Sequence, residues 1–152
     1  IGAAAFERCS ALQTIELPEG LTSIGASTFN GCGSLENITL PEGITNIEIN
    51  AFNDCGGLLW IVLPTSLESI SAYAFENCGG LTEIYIPANV TNIASGAFAG
   101  VSLMDMYILT ETPPTIASDT FDESIAYVHV PEGSLEAYEA AEFWSNISQE
   151  AN

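Results

Sequence analysis

The chain has 152 residues, of which 47% are hydrophobic and 14% are charged. Twenty acidic residues stand against one basic residue, Arg8, which gives a formal net charge of −19. A surface of this charge repels phosphate backbones and anionic lipid headgroups, so nucleic-acid binding and membrane-surface binding are disfavoured. No run of 18 apolar residues occurs, so the sequence predicts no insertion into a membrane.

One pattern returns every 23 residues along most of the chain. A single repeat of this kind cannot bury its own apolar side chains, so successive repeats must stack around a shared core. The consensus reads A-F-x-x-C-x-x-L-x-x-I-x-L-P-x-x-[LIV]-T-x-I. The positions that carry the step are Phe6, Phe29, Phe52, Phe75, Phe98 and Phe121, with Cys9, Cys32, Cys55 and Cys78 and with Pro18, Pro41, Pro64 and Pro87.

Each repeat is predicted to contain one short strand that ends at its proline. Residues 12–18 alternate apolar and polar side chains toward their end, which is the period of a strand with one buried face. The equivalent segments are 35–41, 58–64 and 81–87, and proline ends each ladder because it has no N–H to donate. The other half of each repeat is predicted to be irregular, with room for a second short strand. One strand per repeat predicts a mainly β solenoid of parallel strands about 4.8 Å apart.

The last third of the chain departs from the consensus, as expected of a region that covers the end of the core. A step of 23 places Val101 in the cysteine column, Met104 in the leucine column and Tyr107 in an isoleucine column. Residues 99–147 are therefore interpreted as degenerate capping repeats followed by a helix, with Ser134 as its N-cap. Residues 148–152 are predicted to be a loose tail.

The predicted organisation is a single domain, residues 1–147, of about five and a half repeats. Ile1 occupies the repeat position of Ile24 and Ile47, so we expect the sequence to be a piece of a longer chain that lacks repeats at its N-terminal end. An open solenoid end and a free strand edge allow end-to-end or edge association, and the oligomeric state stays open.

The repeat resembles the BspA-like leucine-rich repeat family. The segment AFNDCGGLLWIVLP at residues 51–64, repeated at the step of 23, carries the resemblance, and residues 128–145 look like the closing segment of such proteins. The resemblance implies a leucine-rich-repeat right-handed superhelix in a bacterial cell-surface or secreted protein. Some members are linked to adhesion, which implies a protein or glycan ligand. Members also occur in protozoan surface proteins, so the source organism stays open.

The four cysteines are interpreted as a column of small buried side chains rather than as disulfides or metal ligands. Equivalent residues of adjacent coils point the same way, whereas a disulfide needs Cβ atoms that turn toward each other. Zinc sites need four converging ligands, commonly in C-x2-C pairs, and no two cysteines here are closer than 23 residues. Val101 in the same column indicates that an apolar side chain fits there.

The sequence offers no catalytic constellation. His129 is the only histidine, and no Gly-rich phosphate loop, G-x-S-x-G or H-E-x-x-H motif is present. Asp119, Asp122 and Glu123 are close enough in sequence to be considered for calcium, but the EF-hand pattern is absent and a solvated acidic loop is the favoured interpretation. We therefore predict a non-catalytic protein with no metal site and no cofactor.

The outward side chains of the predicted strands vary from coil to coil, whereas the columns that build the core hardly vary. An exposed apolar patch on such a surface marks an interaction site, and aromatic residues dominate binding hot spots. The predicted ligand-binding residues are Trp60, Val62, Glu83, Tyr85, Met106 and Ile108, with Asp105 inside the patch or at its rim.

Two functions stay open from the sequence. The first is an extracellular binding module that holds a protein or a glycan on these strands, with Trp60 and Tyr85 as anchors. The second is a structural spacer whose repeats present another domain at the cell surface. In that case a neighbouring domain or a second copy covers the outward apolar residues.

Overall fold

Short parallel strands, one on each coil after the first, line one side of the molecule. The computed structural model describes residues 1–121 and 125–151 and shows a parallel β-solenoid of about five coils with little helix. Among these residues, no helix is both long and apolar enough to cross a membrane. The strands on this side are β1 (Asn37–Thr39), β3 (Trp60–Val62), β5 (Glu83–Ile86), β7 (Asp105–Ile108), β8 (Tyr127–Val130) and β9 (Gln149–Ala151).

A second parallel sheet lies on the other half of three coils. It consists of β2 (Asn46–Ile47), β4 (Ser69–Ile70) and β6 (Asn92–Ile93), paired in that order at a step of 23 residues. This sheet confirms the second short strand for three of the repeats. The longer strands form two hydrogen-bonded sheets, β1-β3 and β5-β7-β8-β9, and β3 lies beside β5 where these two sheets meet.

The first coil lacks the strand predicted for residues 12–18. Within the described residues this coil packs against the second coil alone, and its link to that coil here is a hydrogen bond from the Glu36 N–H to the Gln13 carbonyl oxygen at 3.0 Å. Its apolar side chains are only partly buried, so the core begins at the second coil.

The core contains a column of stacked phenylalanine rings, one from each coil. From Phe6 to Phe121, neighbouring rings are nearly parallel with centroids 5.2–5.5 Å apart. The backbone fixes this spacing, because the Phe52 N–H donates to the Ala74 carbonyl oxygen of the next coil at 2.8 Å. Burying a phenylalanine side chain contributes roughly 1.5–3 kcal/mol, so this column is a main source of stability.

Three of the four cysteines form the predicted buried column. The thiols of Cys32, Cys55 and Cys78 each donate to a phenylalanine carbonyl oxygen of the preceding coil at 3.1 Å. All four cysteines are free. Cys9 is exposed, which corrects the expectation for that position, because within the described residues the first coil packs against the second coil alone.

The fifth coil is offset by one residue from the step of 23. β7 pairs with β5 at a step of 22, so that Ile84 lies opposite Met106. One residue is missing before β7, and Leu103 rather than Met104 fills the buried leucine position. The predicted placement of Met104 in the leucine column is therefore wrong, and Met104 is 61% exposed.

This offset also corrects the predicted orientation of Met106 and Ile108. Both were expected to point outward, but they are 0% and 1% exposed and belong to the core. A shift of one residue turns every side chain of a strand to the opposite face, which explains the error. One extra residue in the loop after β7 compensates for the missing one, so Phe98 and Phe121 still pair at a step of 23. The phenylalanine spacing therefore does not reveal the offset.

The C-terminal region covers the end of the core, as predicted. Helix α1 (Leu135–Ala140) buries Tyr138, and a 3-10 turn (Trp144–Asn146) buries Trp144. The Trp144 Nε1–H donates to the Pro114 carbonyl oxygen at 2.7 Å, and the Tyr138 hydroxyl donates to the Thr110 carbonyl oxygen at 3.0 Å. Both polar groups of these rings are therefore satisfied where the rings are buried.

Two details of this region differ from the prediction. Ser134 precedes α1, but its hydroxyl donates to the Pro131 carbonyl oxygen at 2.7 Å instead of capping the helix. The segment expected to be a loose tail forms β9, which pairs in parallel with β8 and extends the sheet. Asn152 lies outside the described residues.

Candidate ligand-binding face

We define the strand face as the outward side chains of β3, β5, β7 and β8. Buried and outward side chains alternate along each strand, since successive side chains of a strand point to opposite faces. In β3, Ile61 is 8% exposed whereas Trp60 and Val62 are 48% and 47% exposed. The members of the strand face are Trp60, Val62, Glu83, Tyr85, Asp105, Tyr107, Tyr127 and His129.

Four of the six predicted ligand-binding residues lie on this face. Trp60, Val62, Glu83 and Tyr85 are outward and exposed. Met106 and Ile108 do not join them, because the offset of the fifth coil buries both. Their places next to β5 are taken by Asp105 and Tyr107, which pair with Glu83 and Tyr85.

Tyr107, Tyr127 and His129 were not predicted to belong to the face. The proline that follows β8 could have located two of them. In β5 the outward residues lie two and four positions before the proline that ends the strand. The same count back from Pro131 gives His129 and Tyr127. Tyr107 has no proline after its strand. Its position follows only from the apolar residues on either side of it.

Three rings of the strand face stack on one another. The Tyr85 and Tyr107 centroids are 4.6 Å apart at 9°, and the Tyr107 and His129 centroids are 4.4 Å apart at 12°. Tyr127 lies tilted against His129 at 6.5 Å. The solenoid spacing imposes this stack, since equivalent side chains of adjacent strands lie about 4.8 Å apart.

A hydrogen bond fixes one end of the stack. His129 Nε2 lies 2.7 Å from Asp105 Oδ1, and both side chains are partly buried. The contact crosses from β8 to β7 and holds the imidazole flat against Tyr107. The stack is therefore held by hydrogen bonding as well as by ring contact.

The carboxylates make the strand face electrostatically negative. Desolvation raises the pKa of Tyr85, and a hydrogen bond and charge repulsion from Glu83 raise it further. Desolvation also raises the pKa of Tyr107, and the charges of Asp105 and Glu83 add to that shift. Each carboxylate therefore acts on both tyrosines, and the phenol groups stay protonated at neutral pH.

The described residues contain no group of histidine, cysteine and acidic side chains that could hold a metal ion. Of the three residues considered for calcium, Asp119 accepts a hydrogen bond from the Ser95 hydroxyl at 2.7 Å, whereas Asp122 and Glu123 lie outside the described residues. Burial raises the pKa of Cys55 to about 12, so its thiol is not a nucleophile at neutral pH.

Comparison with known proteins places the chain in a family. It matches a family model described as BspA type leucine rich repeat region, in six copies, over residues 1–145. The chain belongs to the BspA-type leucine-rich repeat family. The match confirms the resemblance seen in the repeats and identifies the solenoid as a leucine-rich repeat module.

Solved structures of bacterial leucine-rich repeat proteins share this fold. The T. pallidum leucine rich repeat protein is 27% identical with a TM-score of 0.70, over 100% of this chain and 62% of that one. The pneumococcal vaccine antigen PcpA is 21% identical with a TM-score of 0.63, over 89% and 40%. A leucine-rich repeat protein from Bacteroides ovatus is 21% identical with a TM-score of 0.53, over 99% and 57%. The BspA-type module thus spans less than two thirds of each of these chains.

The search of curated proteins found no match to the chain.

Proposed function

We propose that this BspA-type chain is a non-catalytic binding module that holds a partner on the strand face. The observation that carries the proposal is the exposure of three aromatic side chains on one surface. Trp60, Tyr85 and Tyr127 are 48%, 51% and 49% exposed. Clustered exposed aromatic residues mark interaction sites, and they supply most of the binding free energy where such sites are known.

The scaffold under the face supports this proposal. β5, β7 and β8 are joined by parallel ladders, and the alternate side chains of each strand are anchored in the core. Side chains presented on a rigid sheet lose little conformational entropy when they bind. The four strands span about 14 Å at about 4.8 Å per step, which is wide enough to receive several side chains of a partner.

We further propose that the module acts outside the cell, on a bacterial surface or as a secreted protein, with a protein or a glycan as its ligand. Leucine-rich repeat proteins generally mediate protein interactions, and one solved protein with this fold is named a vaccine antigen. Protease treatment of intact cells tests the location. Loss of the module on such treatment is expected, and protection would contradict an external location.

The binding proposal is tested with a paired screen. The protein is screened against host matrix proteins and a glycan array beside the double variant Trp60→Ala/Tyr85→Ala. A control variant, Ile49→Ala/Tyr73→Ala, removes exposed apolar area from the phenylalanine half of the coils instead. We expect a partner that is lost by the strand-face variant and kept by the control.

Two results would contradict the proposal. A partner that binds both variants as well as the unchanged protein would move the site off the strand face. The absence of any partner would favour a structural spacer, in which the repeats present another domain and the strand face has no ligand.

A further inference from the structure

The strand face carries negative charge that the chain itself does not balance. Glu83 on β5 pairs in register with Asp105 on β7, and like charges directly opposite each other on neighbouring strands are unfavourable. Arg8 is the only lysine or arginine of the sequence, and it lies beside Gly31 at the start of the solenoid. Within the described residues, His129 contacts Asp105, and no basic side chain pairs with Glu83.

The arrangement of the rings disfavours a sugar as the main ligand. A pyranose ring stacks on the flat face of an aromatic side chain, but both faces of Tyr107 are covered, by Tyr85 on one side and His129 on the other. At Tyr107 the stack therefore presents the ring edge and the hydroxyl group to the solvent rather than a flat surface. Trp60 is in none of the stacked pairs of described rings and is half exposed.

A cationic side chain fits these groups better than a neutral ligand does. An ammonium or guanidinium group is attracted to the face of a tryptophan ring within about 6 Å. Trp60 and Glu83 occupy equivalent positions of adjacent coils, so one cation can contact the ring and the carboxylate together. Val62, 47% exposed beside Trp60, offers apolar surface to the methylene groups of a long basic side chain.

Resting on the proposed function of the strand face, we infer that its partner is a protein segment that presents lysine or arginine. One basic side chain lies between the Trp60 ring and the Glu83 carboxylate, and Asp105 adds negative charge from the next strand. The net charge of −19 assists this association over a longer range, since it attracts positively charged segments before contact.

The test uses defined peptides and a matched pair of charge variants. The probes are glycine-serine peptides with arginine at alternate positions, and the same peptides with citrulline, which keeps the shape of arginine and lacks its charge. The strand-face variant is Glu83→Gln/Asp105→Asn. The control variant, Glu68→Gln/Glu132→Gln, removes two exposed carboxylates outside the face, so both variants change the net charge equally.

We expect the arginine peptide to bind and the citrulline peptide not to bind. The strand-face charge variant should weaken binding about tenfold, because the basic side chain loses the attraction of two carboxylates, while the control variant changes it less than twofold. Glu83→Gln alone leaves the hydrogen bond between Asp105 and His129 in place and should account for most of this loss. Binding should weaken as salt rises toward about 0.5 M, because exposed charges are screened. Circular dichroism and thermal melting of each variant verify that the fold is kept.

Three results would overturn the inference. If both charge variants weakened binding of the arginine peptide equally, the peptide would be attracted to the acidic protein as a whole and would have no specific site on the strand face. Binding of the citrulline peptide as tightly as the arginine peptide would show that charge is not recognised. If the arginine peptide did not bind at all, a cationic partner would be rejected.

The two variants of the strand face distinguish a wrong ligand class from a wrong site. A partner from the screen that is lost by Trp60→Ala/Tyr85→Ala but unaffected by Glu83→Gln/Asp105→Asn would keep the strand face as the site and reject a cationic segment. A glycan with that behaviour would identify the other ligand class. A partner that binds the aromatic variant unchanged would reject the site itself.

Discussion

The molecule contains two columns of stacked rings, one in the core and one on the strand face. In the core the ring is phenylalanine in every coil, with centroids 5.2–5.5 Å apart. On the strand face the rings are Tyr85, Tyr107 and His129, with centroids 4.6 and 4.4 Å apart, and the equivalent position on β3 is Val62. The stacking is similar in both columns, but only the core column repeats one residue.

This difference separates a structural column from a candidate recognition column. The solenoid stacks equivalent side chains wherever they point, so stacking alone says nothing about function. A close-packed core accepts one side-chain shape in each coil, because adding or removing a single methylene group lowers stability. An outward position accepts many side chains, so its identity is free to serve binding.

The largest effect is expected when the core column is broken. Phe52→Ala removes a fully buried ring that lies between Phe29 and Phe75. The free energy of unfolding should fall by about 3–5 kcal/mol, from lost burial and the cavity that remains. Urea denaturation followed by circular dichroism measures it, with Phe52→Leu as the milder control. A loss below about 1 kcal/mol would contradict a structural role for the column.

The cysteine column beside it should make stability sensitive to alkaline pH. Burial, followed by repulsion from Cys32, raises the pKa of Cys55 from its ordinary value of 9.0 to about 12. The folded state thus holds this proton more tightly than the unfolded chain does. Stability is full below pH 9 and falls as the pH rises from 9 toward 12, by about 1.4 kcal/mol per pH unit for such a group.

Cys55→Val is the matched control for this pH dependence, because Val101 already fills the equivalent position. The free energy of unfolding is measured at pH 8 and again between pH 10 and 11. The variant should lose less stability over this interval than the unchanged protein. An equal loss in both proteins would mean that the Cys55 thiol does not titrate in this range.

A smaller effect is expected on the strand face, at the ring that is stacked on both sides. Tyr107→Ala removes two ring contacts of a partly buried side chain, so the loss of unfolding free energy should be about 1–3 kcal/mol. Tyr107→Phe keeps both contacts and should change less. A loss as large as that of Phe52→Ala would mean that the two columns contribute equally to stability.

The smallest effect is expected at Trp60. Its ring is half exposed and belongs to none of the stacked pairs of described rings. Trp60→Ala should change the free energy of unfolding by less than about 0.5 kcal/mol, as surface substitutions usually do. The same variant should lose the partner found in the screen. Unchanged stability together with lost binding would show that Trp60 serves recognition and that the core residues serve stability.

The fold could be predicted from the sequence because the constraints on it are repeated. Each coil buries the same side chains at a step of 23, so six phenylalanines and four cysteines all indicate one solenoid. The helix over the end of the core was also predictable, since Tyr138 and Trp144 lie where the repeat stops. β9 was missed because residues 149–151 carry no repeat signal.

The candidate site was only partly predictable, because its residues do not repeat. The outward positions of Trp60 and Tyr85 follow from the regular coils. Met106 and Ile108 were misplaced because they were assigned from the phenylalanine spacing, which two compensating length changes leave at 23. The hydrogen bond between His129 and Asp105 depends on the register of β8, which pairs with β7 at a step of 22 and places Tyr127 opposite Asp105. A count of 23 along the chain does not reveal it, since His129 lies two residues beyond Tyr127 on the same face of the strand.

The hydrogen bonds between coils have a mechanical consequence. They run from one coil to the next along the solenoid axis, as from the Phe52 N–H to the Ala74 carbonyl oxygen. A pull on the two chain ends therefore loads the coils in series and peels them away one after another. Each released coil of 23 residues adds about 80 Å of extended chain, so single-molecule stretching should show steps of that length, and a single rupture would refute serial opening. A module that opens in this way lengthens stepwise under load and dissipates energy at each step.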